Sequence, residues 1–452
     1  MNNYLTIIKS IFISKEQRDM MLKKNIIFSA VLKIISLCSS FLIVPVTLHY
    51  LNNEVYGIWM TITSILFWIN TFDIGLGNGM RNYLTEALAK DNYKLGRAYI
   101  STTYALLGLI ALIMILILII PSSLLNFNDV FNTKAISNTE LRNVMLVAVS
   151  FTLINFVLKS IGNIFIALQK YAISDLLGVS GGIIALLIIY VLTKITTGHL
   201  MYVVLAYTAT FTAVYILAAY PVFKKYPKLK PSLKYFDKSI SKQIVGKGLG
   251  FFAIQITSCL IIFGASNLFI TQFCGPAEVT TYNIAYKFFY LLATAYTIVI
   301  SPMWNAYTDA YVKGDMKWID KTFRHALNFW GLSLLAGGLM LICSNMFYYL
   351  WVGKSVNVPF TVSLSVFAYI SFFNLNNCVT YLINGLNKIR IQIITSIIMT
   401  IIYIAAVFSI GKNLGIEGIV GLMAISYAIM SAIHLYQCRL IIKGKAKGIW
   451  NK

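Results

Sequence analysis

Apolar residues fall in long, nearly uninterrupted runs along this chain, not in the narrow stripes of a soluble amphipathic helix. A helix that crosses a bilayer needs about 20 mostly apolar residues. Twelve runs meet that need, at roughly 26–48, 56–79, 98–121, 142–168, 173–193, 200–222, 249–273, 281–304, 325–350, 358–384, 389–411 and 415–437. The connections between them are short and polar. The longest, about 223–248, is too small to fold as a catalytic domain. The pattern predicts an all-α polytopic membrane protein with twelve transmembrane helices. The first 25 residues are too polar for a signal-peptide core, so the first run is expected to remain as a span.

Composition agrees with lipid as the main solvent. Of 452 residues, 58% are hydrophobic and 12% charged, with a mean hydropathy of +0.76. Soluble domains carry about 25% charged residues. The formal charge of +22 would point to nucleic acid in a soluble protein, but its placement gives another reason. With the N-terminus inside, 29 of the 37 basic residues fall in cytoplasmic segments and 5 in outer loops. That asymmetry is the positive-inside rule, and it predicts both termini in the cytoplasm. No nucleic-acid partner is needed to explain the charge. The six cysteines show no Cys-x-x-Cys or Cys/His metal spacing, and neither a metal nor a cofactor is expected.

The halves of the chain resemble each other. Thr85-Glu86-Ala87 with Lys90 and Lys94 matches Thr308-Asp309-Ala310 with Lys313 and Lys317 at an offset of 223. Leu168-Gln169-Lys170 matches Leu386-Asn387-Lys388 at 218, as Lys194 matches Lys412. Six spans per half is an even number, so the copies share one membrane orientation and form a parallel repeat. The expected domains are an N-terminal lobe over 1–222, a Lys-rich cytoplasmic linker over 223–248 and a C-terminal lobe over 249–452.

Three lysines remain inside spans: Lys33, Lys159 and Lys287. Each costs about 2.5–3.5 kcal/mol at mid-membrane unless it meets water, a partner or an interface. Snorkelling to the interface is one solution, and the neighbours offer another. Thr280, Asn283, Lys287, Tyr290, Thr294, Thr297 and Ser301 recur at spacings of three and four. So do Ser29, Lys33, Ser36 and Ser40, and so do Thr152, Asn155, Lys159 and Asn163. A fourth stripe runs through Asn374, Asn377, Tyr381, Asn384 and Lys388. Such spacing puts a series on one helix face, where it can line a central cationic cavity or serve close helix packing. Asp73, Asp175 and Asp309 all fall near span ends. With no mid-span acid there is no evident proton site or cationic-drug site, and a lysine-lined lumen favours an anion, with phosphate well suited to ammonium groups.

Specific segments then resemble a known family. Tyr56-Gly-Ile-Trp59, Phe72-Asp-Ile-Gly-Leu-Gly-Asn-Gly-Met-Arg-Asn82 with Thr85-Glu-Ala-Leu-Ala-Lys90, and Ser301-Pro-Met-Trp-Asn-Ala-Tyr-Thr-Asp-Ala-Tyr-Val-Lys-Gly-Asp315 are similar to segments of bacterial polysaccharide-biosynthesis flippases. These are the Wzx-type O-antigen and capsule repeat-unit transporters, whose fold is MATE-like. The resemblance implies that undecaprenyl-diphosphate-linked oligosaccharides are flipped outward by alternating access between two six-helix lobes. The family's cationic cavity would correspond here to Lys33, Lys159 and Lys287. The polar stripes add Asn283, Tyr290, Asn155, Asn377 and Tyr381 to the expected substrate site, and Asp73, Arg81 and Asp309 are the expected motif or gating residues. The implied partners are the lipid-linked oligosaccharide, membrane lipid and the glycan polymerase and chain-length machinery. Two alternatives stand beside it. An ion-coupled drug antiporter of the same fold would be marked by a mid-span Asp or Glu. A membrane-embedded glycan polymerase or ligase would need an acid, base or nucleophile in a sizeable loop. Four scattered histidines supply no such constellation, so an enzyme is not expected.

Overall fold

The computed structural model describes residues 15–71, 75–118, 120–245 and 261–451, and among them every regular element is helical. The first half contains α1 (Lys15–Leu51), α2 (Asn53–Thr71), α3 (Leu76–Ala89), α4 (Tyr93–Leu118), the short α5 (Phe127–Phe131), α6 (Asn138–Leu158), α7 (Ser160–Ala167), α8 (Tyr171–Ile195) and α9 (Leu200–Lys225). The second contains α10 (Ile261–Cys274), α11 (Pro276–Ile300), α12 (Met303–Val312), α13 (Met316–Val352), α14 (Phe360–Gly385), α15 (Arg390–Ala406) and α16 (Lys412–Ile442).

Among the described residues, nine helices are long and apolar enough to cross a membrane, or ten if α2 and α3, bent by 43°, make one span. The runs at 389–411 and 415–437 share one helical stretch, Arg390–Ile442, broken at Gly415, whose φ of 65° and ψ of −159° leave the helix region. The run at 249–273 lies partly outside the described residues.

The turns between helices come in matched pairs. Asp91 and Gly314 both take left-handed φ values, 53° and 74°. Around them Asn92 N–H bonds Ala87 O and Asp315 N–H bonds Ala310 O, both at 2.9 Å. The side chains of Asn92 and Asp315 then cap the next helix, each accepting a 3.0 Å bond from the N–H of Leu95 or Trp318. Gln169 and Asn387 form a second pair, at φ 60° and 57°. Here Lys170 N–H closes on Phe165 O at 2.8 Å and Lys388 N–H on Ile383 O at 3.0 Å, the bond that satisfies orphan carbonyls at a helix end.

Packing divides the chain into two compact units. The first takes Met1–Tyr50, Ile69–Leu125 and Arg142–Phe252. Its core joins α3, α4, α7, α8 and α9 through Met80, Leu84, Ile100, Ile164, Leu177 and Val214. The basic segment after α9 is fastened to α4. Arg97 Nε donates to Lys230 O at 2.7 Å, and its guanidinium sits 4.1 Å from the Tyr235 ring centroid. Ser232 N–H bonds Ser101 Oγ and Asp237 N–H bonds Thr102 Oγ1. The Asp237 carboxylate accepts from the Ser239 hydroxyl and from the N–H groups of Ile240 and Ser239, which holds its pKa below the usual carboxylate range.

The second unit takes Leu51–Trp68, Asn126–Leu141 and Ala253–Lys452. Its core joins α11, α12, α13, α14 and α16 through Tyr296, Tyr307, Phe323, Leu382, Ile383 and Cys438. The units therefore cut across the 1–222 and 249–452 lobes drawn from the repeat, because most of α2 packs here. Gly57 explains the closeness: a β-carbon there would lie 1.7 Å from Pro276 O. Polar groups finish the seam. Thr61 Oγ1 and Thr271 Oγ1 are 2.6 Å apart, Thr280 Oγ1 donates to Asn53 O, and Asn267 Nδ2 donates to Ser64 Oγ at 2.7 Å. Hydroxyl and amide groups are the usual means of joining helices in lipid, where apolar contact alone gives little preference.

Candidate substrate-binding site

The polar stripe of α11 changes character along its length. Gly275, at φ 96°, and Pro276 start the helix, the proline falling where its missing N–H costs nothing. Thr280 and Asn283 are buried. Asn283 Nδ2 donates to Asn267 Oδ1 at 2.9 Å and to Val279 O, so a predicted substrate contact is engaged in a Ser64–Asn267–Asn283 chain. One turn on, Lys287 is half-buried, and Tyr290 is 43% exposed. The accessible part of the stripe thus begins at Lys287.

A ladder of tyrosines runs beside it. Tyr282, Tyr286 and Tyr290 repeat every fourth residue, with ring centroids 5.6 and 5.2 Å apart and planes within 29°. Tyr286 also stacks on Tyr369 of α14 at 6.3 Å and 18°, and Tyr369 meets Tyr427 of α16 at 5.7 Å. Tyr290 is the open end of a stack rooted in the core, and offset ring pairs of this kind contribute about 0.5–1.5 kcal/mol each beyond burial. Tyr282, Tyr286 and Tyr369 were not among the predicted site residues. The i, i+4 tyrosine repeat was the available signal for the first two.

On α14, Asn377 and Tyr381 are half-buried, and the Tyr381 ring lies 6.0 Å from Trp304. Asn374 is fully buried, and neither its amide oxygen nor its nitrogen has a hydrogen-bond partner among the described residues. The α14 stripe therefore holds polar capacity that no described residue uses.

Lys33, Lys159 and Asn155 belong to the first unit. Lys33 is exposed on α1, as are Val31, Ile34 and Ile35 around it; the side chain of Ser29 lies outside the described residues. Lys159 sits at the break between α6 and α7, half-buried, donating from Nζ to Asn70 O at 2.8 Å and lying 5.2 Å from the Phe156 ring centroid. Asn155 ties α6 to α9: its Nδ2 donates to Thr208 O at 2.9 Å and its Oδ1 accepts from Thr212 Oγ1 at 2.7 Å. That side chain works in helix packing.

Of the motif residues, Asp73 lies outside the described residues. Arg81 is half-buried on α3, with Nε 3.4 Å from Asn82 Oδ1. Asp309 forms an exposed i, i+4 ion pair with Lys313 at 2.6 Å, and Glu86 forms the matching pair with Lys90 at 2.7 Å. Among the described residues, no group of three or more His, Cys, Asp or Glu side chains could hold a metal ion.

Known proteins share this architecture. A candidate O-antigen transporter of Salmonella typhimurium is 24% identical over 392 residues, covering 84% of this chain and 87% of its own length. A candidate O-antigen export protein of Yersinia pseudotuberculosis is 23% identical over 286 residues, 62% of this chain and 64% of its own. Among solved structures, the inward-facing form of a multidrug resistance MATE family transporter of the MOP superfamily superposes with a TM-score of 0.74 at 15% identity, covering 92% of this chain and 98% of that one. The fold is MATE-like. The polysaccharide biosynthesis protein family matches residues 22–305, which include the α2 signature and all of the α11 stripe. With its apolar helices and this match over more than half its length, the chain belongs to the polysaccharide biosynthesis protein family of membrane transporters.

Proposed function

We propose that the protein flips undecaprenyl-diphosphate-linked oligosaccharide repeat units from the cytoplasmic to the periplasmic leaflet, for O-antigen or capsular polysaccharide synthesis. It works by alternating access, as a transporter and not an enzyme, in the bacterial inner membrane with both termini in the cytoplasm. The observation that carries this reading is the accessible half of α11. A half-buried lysine there adjoins the open end of a tyrosine stack, in a span whose acids, Glu278 and Asp309, lie near its ends.

The chemistry of that pair fits both parts of the substrate headgroup. The Lys287 ammonium neutralises a phosphate as a point charge. The face of Tyr290 packs on the C–H face of a sugar ring, and hydroxyl and amide groups such as those of Tyr381 and Asn377 meet sugar hydroxyls. Lys33 and Lys159 add positive charge from the first half of the chain, and the polyprenyl tail stays in lipid. The two halves expected from the parallel repeat, 1–222 and 249–452, expose the site to each side of the membrane in turn. Asp73, Arg81 and Asp309 belong to the segments that bend or slide as they do so, and the glycan polymerase receives the product. The O-antigen names of the Salmonella and Yersinia relatives support the choice of cargo.

The test is complementation of a flippase-deficient strain with membrane levels of each variant matched. Lys287→Ala is expected to reduce surface glycan at least tenfold, Lys287→Arg to keep part of it, and Tyr290→Leu to fall between. Full export by Lys287→Ala would overturn the site. Lipid-linked repeat units that never accumulate on deletion would overturn the function.

A further inference from the structure

One cluster of cations has no place in this scheme. Where α13 begins and α16 ends, the two helices border a groove of about 620 Å³ in the second unit. Lys317 and Arg324 reach it from α13, and Arg439 and Lys443 from α16. The one acid in its lining, Asp320, is spent on Arg324, whose Nη2 and Nε lie 2.9 and 3.1 Å from Oδ2. Lys317, Arg439 and Lys443 make no ion pair among the described residues and are exposed. Arg439 and Lys443, at the end of α16, are favoured by the negative pole of that helix. Lys317 is not: it stands in the first turn of α13, next to the positive pole. Asp315, the acid before it, is turned to its cap on Trp318 N–H. Helix electrostatics therefore favour Arg439 and Lys443 and oppose Lys317, while Arg324 is held by Asp320.

The surroundings identify the anion as one that carries a hydrocarbon tail. Phe323 of the unit's core floors the groove. From Arg324 the same face of α13 continues through Leu332, Leu335, Leu339, Ile342 and Met346, spaced by three and four. These are 59–78% exposed, an uncovered apolar track along that helix. A cationic rim at a span end, leading into an uncovered apolar stripe, matches a phosphodiester headgroup with its acyl chain below. We propose that this groove binds an anionic phospholipid of the bilayer, its phosphate held by Lys317, Arg439 and Lys443 and one acyl chain laid along Leu332–Met346. The inference does not depend on the transported substrate or on Lys287.

Native mass spectrometry of the full-length protein, in detergent with equal phosphatidylglycerol and phosphatidylcholine, tests it. Wild type is expected to retain phosphatidylglycerol preferentially. Removing each basic residue weakens that preference by about fivefold, so Lys317→Ala/Arg439→Ala/Lys443→Ala together abolish it. A control variant, Lys321→Ala/Lys445→Ala/Lys447→Ala, removes three exposed cations from the same end but outside the groove and keeps the preference. Leu335→Gln/Leu339→Gln lowers retention without changing charge, and inorganic phosphate at millimolar concentration does not displace the lipid. Wild type that retains both lipids equally, a control that loses the preference as fully as the groove variant, or displacement by phosphate overturns the proposal. A conservative Lys317→Arg/Lys443→Arg variant retains the preference and separates charge loss from misfolding. If it binds neither lipid selectively, the site is overturned as well.

Discussion

At Gly57 the chain leaves no room for a β-carbon, because the backbone oxygen of Pro276 occupies the place it would take. The neighbour is backbone at a helix start, not the movable end of a side chain, so the helices must part if anything larger is present. Gly57→Ala is expected to cost about 1–3 kcal/mol, the usual penalty of overpacking, seen as a lower unfolding midpoint in detergent with helix content retained at low temperature. Gly57→Ser would fare no better, whereas Gly108→Ala or Gly182→Ala, where nothing approaches, should be tolerated. The sequence shows a Tyr-Gly-Ile-Trp signature at this point but not the reason for its glycine. That reason lies more than 200 residues away. Lys159 teaches the same lesson. Its place on a polar stripe was readable from spacing, but the carbonyl of Asn70 that accepts its hydrogen bond was not, since periodicity reports which face is polar and not what stands opposite.

Between elements, the paired turns turn a sequence match into geometry. Asp91 and Gly314 hold the same left-handed corner, one with a β-carbon and one without. Glycine takes that conformation freely, while other L residues pay roughly 1–2 kcal/mol for it, less for Asp and Asn. Gly314→Ala is therefore expected to destabilise the second unit by about 1 kcal/mol and Asp91→Gly to be close to neutral in the first. Thermal unfolding of the two variants against wild type checks the pair, and a loss for Asp91→Gly as large as for Gly314→Ala would contradict it. The same scale shows which stripes were read well. Along α11 the polar residues do share a face, as spacing of three and four required, yet its first two turns are sealed by Asn267 and Asn53 and only the later ones are accessible. Along α6 the stripe is spent on α9 through Asn155. A polar face looks the same in sequence whether it meets water or a neighbouring helix.

For the molecule as a whole, composition and the distribution of basic residues were enough to establish a helical membrane protein, since both reflect bulk solvation and not specific contacts. The grouping of residues 51–68 with the second unit was not legible, because it rests on cross-helix hydroxyl and amide bonds between distant residues. On the proposed function, each negative charge carried outward across an inside-negative membrane gains about 2.3 kcal/mol per 100 mV. Transport of a diphosphate is then expected to slow when the potential is collapsed in loaded proteoliposomes, with no change in headgroup binding. An unchanged initial rate would remove the potential as a driving force. A last consequence comes from Arg97, which together with Ser101 and Thr102 clasps the segment after α9. A spectroscopic label on the exposed Lys234 would report the tumbling and displacement of the helices beneath it, not the wandering of a slack tether.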